Sequence, residues 1–116
     1  MMKEALVSAG PQAQLVDSPI PEPKAGQVLI KVIVSGSNPK DWKRAEGNKQ
    51  PFNTGDDVAG TIEAVGSKVP GFQVGDRVAA FHEMQEPHGS FAEYAIAWAR
   101  STFHIPEKIS YEGKLL

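Results

Sequence analysis

Residues 27–47 read QVLIKVIVSGSNPKDWKRAEG, and the change of character halfway along this stretch decides how the rest of the chain is read. From Gln27 onward apolar β-formers alternate: Val28, Ile30, Val32 and Val34 share one face, and Leu29, Lys31 and Ile33 the other. Branching at Cβ suits a pleated backbone, so the segment predicts the strongest strand of the chain, ending at Gly36. Asn38-Pro39 then fits the start of a short helix. The asparagine side chain can cap free amides, and proline lacks only the donor that the first helical position does not need. The helix is expected to run to Ala45 and to stop at Gly47. Such a strand-to-helix corner holds polar side chains just beyond a packed strand, which is good scaffolding for a site.

Working outward toward the N-terminus, Lys3 to Ser8 and Gln12 to Asp17 flank Gly10-Pro11 and predict an opening pair of strands. Pro19, Pro21 and Pro23 fall at every second position, so residues 18–26 should form an extended strap that cannot pair centrally. Toward the C-terminus, strands are predicted at Asp57 to Val65, Arg77 to Phe81, Phe91 to Ala97 and Thr102 to Ile105. Between the first two lies GSKVPGFQVGD, where Gly66, Gly71 and Gly75 permit tight turns and Phe72 and Val74 are expected to pack inward. Short β-rich segments punctuated by proline and glycine predict a mainly β fold, a small, partly open β-barrel with one or two short helices. The 116 residues make one domain, 1–116, with a modest core and no room for a second.

Composition removes several function classes. A net charge of -2 gives no electrostatic reason to expect nucleic acid or an anionic membrane as partner. The absence of cysteine excludes disulfides, thiolate nucleophiles and cysteine-ligated zinc. The apolar runs are too short to span a bilayer, and MMKEALVSAGPQ lacks the apolar block of a secretory signal, so a soluble cytoplasmic protein is expected.

The segments VLIKVIVSGSNPKDWK, TGDDVAGTIEAVGSKVPGFQVGDRV, GSFAEYAI and HIPEKIS, in this order, resemble the GroES-like N-terminal domain of medium-chain dehydrogenases/reductases. The zinc-independent quinone-oxidoreductase and fungal enoyl-reductase branches look nearest, and the resemblance covers nearly the whole chain. It implies a GroES-like barrel that works with a Rossmann domain, binds NADPH in the cleft between the two, and delivers hydride to an activated alkene, a quinone or a carbonyl. A Rossmann domain needs a glycine-rich turn between a strand and a helix that holds the pyrophosphate, and no such turn occurs in these 116 residues. The dinucleotide-binding half is therefore expected to be missing from this chain. Alone, the chain is expected to be inactive, to bind NADPH no more tightly than about 1 mM, and to self-associate through an exposed strand edge or by domain exchange. A non-enzymatic, single-domain binding module derived from such an enzyme is the alternative.

Zinc-dependent relatives implied by the same resemblance use a cysteine where Asn38 stands and a His-Glu pair where Asp56-Asp57 follow Gly55, so zinc independence is expected. The second concentration of metal-ligand types is HEMQEPH, with His82, Glu83, Glu86 and His88. Glu86 stands where H-E-x-x-H needs its second histidine, and Pro87 interrupts a helix, so a polar surface loop and no metal site is the reading.

The candidate site residues follow from the corner and the resemblance together. Asn38 and Asp41 match positions on the nicotinamide side of the cleft, although a helix cap and a favourable helix-dipole position account for them equally. Lys43 is the candidate catalytic cation. Reduction of an activated alkene leaves an enolate-like oxygen that an ammonium can stabilise, whereas a solvated surface lysine is its structural counterpart. Asp57 and Tyr94 are candidates for the substrate cleft. Asp56 is expected to bond the turn, Trp42 to pack, and Tyr94 to sit at the core or its rim.

Overall fold

The structure is a computed structural model and describes residues 1–8, 12–36, 53, 55–82, 88–106 and 108–110. The predicted helix, and with it Asn38, Asp41, Trp42 and Lys43, lies outside the described residues. The strands are β1 (Met2–Ser8), β2 (Gln12–Ser18), β3 (Gln27–Gly36), β4 (Asp57–Val65), β5 (Arg77–Phe81), β6 (Tyr94–Trp98) and β7 (Thr102–His104). A 3-10 turn, Ala99–Ser101, joins the last two. β1 and β2 form an antiparallel ribbon, and the other five make an antiparallel sheet in the order β6-β3-β4-β5-β7. The fold is the mainly β, partly open barrel that the punctuation of the sequence predicts.

The sixth strand begins at Tyr94 rather than Phe91, because Phe91 and Ala92 meet the ribbon, while the Glu93 carbonyl still accepts the Val32 amide of β3 at 2.9 Å. The Ala5 amide donates to the Phe91 carbonyl at 2.7 Å, and Glu4 bridges Ala92. The Lys3 amide donates to Glu93 Oε1 at 2.6 Å. These bonds tie the ribbon to the sheet.

One face of the sheet carries the main core: Val28, Ile30, Val58, Ile62, Val78, Ala80 and Ala97, with Val32, Val69 and Phe72 packed against it. Each fully buried Ile or Val side chain there stabilises the fold by about 1.5–3 kcal/mol. Ala59, Ala79 and Ile105 form a smaller cluster on the other face. The simple alternation expected in β3 fails at its C-terminal half. A register shift between Val32 and Val34 sets Val34 opposite Ala59, so it joins the second face instead of lying above Val32. Periodicity cannot foresee a bulge, since the extra residue answers to the partner strand.

In the β4–β5 connection Phe72 packs inward as expected and stacks on the His104 ring, with centroids 4.7 Å apart. Val74 does not: it is 66% exposed, because the turn that closes at Gly75, where φ is +95°, swings it outward. Lys68 holds a φ of +59°, a region costly for a residue with a Cβ. Lys68→Gly is expected to raise unfolding stability by about 0.5–1 kcal/mol, read as a higher denaturant midpoint at unchanged slope. A lower midpoint would show that this turn carries no backbone strain. Among the described residues no helix is long and apolar enough to cross a membrane.

Candidate functional site

Three strand ends meet at one end of the sheet. β3 ends at Ser35 and Gly36, β4 opens at Asp57, and β5 closes at Phe81; the register aligns Gly36 with Asp57 and Asp57 with Phe81. A Cβ added to Gly36 would lie 3.1 Å from the Asp57 Cβ, so glycine leaves this half-buried carboxylate its room. Asp56 and Asp57 part company: Asp56 is buried and its carbonyl accepts the His82 amide at 2.6 Å, while Asp57 stands in the strand-end row. Adjacent residues of an extended chain face opposite ways, which separates them as expected.

Behind this row lies a buried polar network centred on Asn53. Its Nδ2 donates to Glu4 Oε2 and to the Gly89 carbonyl, both at 3.0 Å. Its Oδ1 accepts the amides of Gly55 at 3.1 Å and Phe91 at 3.2 Å. Glu4 Oε1 accepts the Ser18 hydroxyl at 2.8 Å, so both oxygens of this buried carboxylate are engaged. Ser35 and Ser90 share a hydroxyl hydrogen bond of 2.8 Å, and the Ser90 amide donates to the Gly55 carbonyl. A Cβ on Gly89 would sit 2.5 Å from the Gly55 carbonyl oxygen, so only glycine allows the two segments to approach this closely. One side chain thus holds together the ribbon, the approach to β4 and the segment before β6.

His82 corrects the surface-loop reading. It is buried, and its Nδ1 lies 2.6 Å from the Ile96 carbonyl, which can only accept, so Nδ1 carries the proton. Its sequence signal was available: His82 continues the two-residue alternation of the core residues Val78 and Ala80. Glu83 and Glu86 lie outside the described residues. His88 is half-buried with φ at +70°. Burial lowers its pKa from 6.5, opposed by the Glu4 carboxylate and aided by His82 and Lys24. The native state therefore takes up this proton less readily than the unfolded chain, and stability is expected to fall as pH drops below 6.5. His88→Gln should flatten that part of a plot of stability against pH; an unchanged slope would assign the loss to other groups.

Tyr94 lies half-buried at the start of β6, opposite Lys31, which in turn pairs with Thr61. That row is four residues along β4 from Asp57, on the order of 13 Å, so the two cleft candidates sit on one face without meeting. Among the described residues no group of three His, Cys, Asp or Glu side chains is arranged to hold a metal ion. Sequence reasoning missed Asn53, Ser90 and Glu4. Glu4 left a trace, since it alternates with Met2 and Leu6 on the inward side of β1. Asn53 left little, because apart from Gly55 its partners come from two distant segments, β1 and residues 89–91.

The sequence profile of the alcohol dehydrogenase GroES-like domain matches residues 24–107. The chain is 52% identical to trans-enoyl reductase fsr4 of Gibberella fujikuroi over 113 residues, 96% of this chain and 33% of that protein. It superposes on the quinone oxidoreductase of Coxiella burnetii with a TM-score of 0.86 at 31% identity, covering 95% of this chain and 38% of that one. A mycobacterial protein solved in complex with NADPH matches with a TM-score of 0.80 at 33% identity, covering 97% of this chain and 35% of that one. The chain therefore spans about a third of the length of the proteins it matches. By sequence and by structure, the chain belongs to the alcohol dehydrogenase GroES-like domain family.

Proposed function

We propose that this chain is the substrate-side domain of an NADPH-dependent, zinc-independent reductase acting on an activated alkene, a quinone or a carbonyl. The observation that carries the reading is the convergence of the ends of β3, β4 and β5 beside a buried polar network, with SNPKDWK following Gly36 in the sequence. The names of the similar proteins, a trans-enoyl reductase and quinone oxidoreductases, supply the reaction class.

The described residues do not fit the whole of the dinucleotide. Their only helical element is the 3-10 turn Ala99–Ser101, so no helix N-terminus is on hand for the pyrophosphate. The cofactor is therefore assigned to a dinucleotide-binding domain, which the greater length of the relatives accommodates. Asn38 and Asp41 are assigned to its nicotinamide side on the resemblance of the N-P-x-D motif they belong to. Lys43 is assigned the developing enolate-like oxygen, and Asp57 and Tyr94 the substrate cleft. The divergence of Asp56 from Asp57 supports zinc independence, since a side chain buried on one face and one standing on the other do not make a ligand pair.

Calorimetric titration of the chain alone with NADPH should show binding no tighter than about 1 mM. A fusion to the dinucleotide-binding domain of the fungal trans-enoyl reductase should oxidise NADPH with an enoyl thioester or a quinone. Asn38→Ala and Lys43→Ala should lower its turnover more than they lower its stability. Micromolar binding by the chain alone would overturn the division of labour. A folded fusion that binds NADPH but reduces no enoyl, quinone or carbonyl substrate would return the chain to a binding module.

A further inference from the structure

β2 pairs with β1 through all seven of its residues, Gln12 to Ser18, and among the described residues nothing pairs with its other side. That side presents a row of backbone amides and carbonyls, a template for another strand. Natural edges are commonly guarded by proline, lysine, a bulge or shortness. QAQLVDS contains no proline, lysine or glycine, and its register with β1 is unbroken. The edge strand β7, by contrast, is only three residues long. At the centre of β2 stands Leu15, 70% exposed, on the same face as Ala5 opposite it.

We propose that β2 is a homodimerisation edge. Two copies pair antiparallel through residues 12–18 about a two-fold axis at Leu15, giving a continuous four-stranded sheet with the order β1-β2-β2-β1. The sequence of the strand is compatible with itself in this register, which uses all seven residues. Leu15 meets Leu15, Gln14 meets Val16, and Ala13 meets Asp17. Asp17 is the only charge in the strand, so no like charges oppose one another, and it is already paired within its own copy with Lys3. A second copy is thus the occupant that meets both the unpaired backbone and the exposed leucine. A two-fold axis lets the same patch serve both partners. The strand is short and the buried area correspondingly small, so the dimer is weak and reversible.

Sedimentation velocity on the 116-residue chain, from about 10 µM to about 1 mM, should show a reversible monomer–dimer equilibrium. Leu15→Lys sets two ammonium groups against each other and should weaken dimerisation about tenfold or more. The monomer's unfolding transition should stay unchanged, because the side chain is mostly in water. Since the chain has no cysteine, Leu15→Cys treated with a short bismaleimide should give a covalent dimer, while Val74→Cys, equally exposed on the β4–β5 turn, should give little. A monomer across the whole range would overturn the proposal. A dimer that Leu15→Lys leaves intact would do the same, as would equal cross-linking of the two cysteine variants.

Discussion

Gly60→Ala should destabilise this domain by about 3 kcal/mol or more. Gly60 lies in the middle of β4, paired with Val32 on one side and Val78 on the other. A Cβ there would stand 2.0 Å from the Lys31 carbonyl oxygen and 3.1 Å from the Ile33 amide nitrogen. Both are backbone atoms, so no rotamer change relieves the clash; β3 itself would have to move. The register shifts of β3 against β4 flank this position, and a displaced β3 would disturb both faces of the sheet. A domain of this size has a total stability of only about 5–15 kcal/mol, so the loss is a large fraction of it. Gly71→Ala is the informative comparison. Nothing lies within 4 Å of an added Cβ at Gly71, but its φ is +86°, so the cost there is backbone strain alone, about 1 kcal/mol. Urea unfolding of both variants measures the difference. A Gly60→Ala protein as stable as Gly71→Ala would mean that the two strands are not so closely apposed.

Asn53→Ala is expected to cost about 3–5 kcal/mol, because truncation strands the partners of four hydrogen bonds in a buried setting. Glu4 Oε2 and the Gly89 carbonyl lose their donor, and the amides of Gly55 and Phe91 lose their acceptor. The carboxylate is the costly member, since a buried charge left half-satisfied is worse than an apolar pair. Asn53→Asp separates charge from shape. The side chain still fits and can still accept from Gly55 and Phe91, but it sets a second carboxylate against Glu4. One of the two acids should then titrate above its unfolded value. The variant's loss of stability relative to the unsubstituted chain is therefore largest at neutral pH and shrinks as pH falls and the shared proton binds. Chemical denaturation of both variants at neutral and mildly acidic pH checks this. If the gap between Asn53→Asp and the unsubstituted chain widens on acidification, the Glu4 contact is not what holds the network together.

The strands were legible because their signal is local. Alternation of branched residues, interrupted by proline and glycine, located every described strand to within a few residues, and the resemblance of four separated motifs identified the family that the profile match and the superpositions show. Phe72 could be placed inward from its surroundings. Val74, two residues on, could not, since its direction is set by how the loop closes at Gly75. His82 was misread as surface because the metal-like spelling of HEMQEPH drew attention from its place in the alternation of β5.

By itself the sequence determined the composition of the elements, the β class, the absence of any cysteine chemistry and the polar character of the residues that follow β3. These depend on residue type and on spacing over a few positions, which the chain carries wherever it folds. Only the tertiary structure decided which polar groups meet. Glu4, Asn53 and Gly89 lie far apart along the chain and become partners when the ribbon, the approach to β4 and the segment before β6 converge on one point. The same holds for the bulge that moves Val34 to the second face, and for the separation of Asp57 from Tyr94 on one face. Strand pairing brings distant residues into register, and a shift of one residue in that register exchanges the faces of a strand without altering a letter of its sequence.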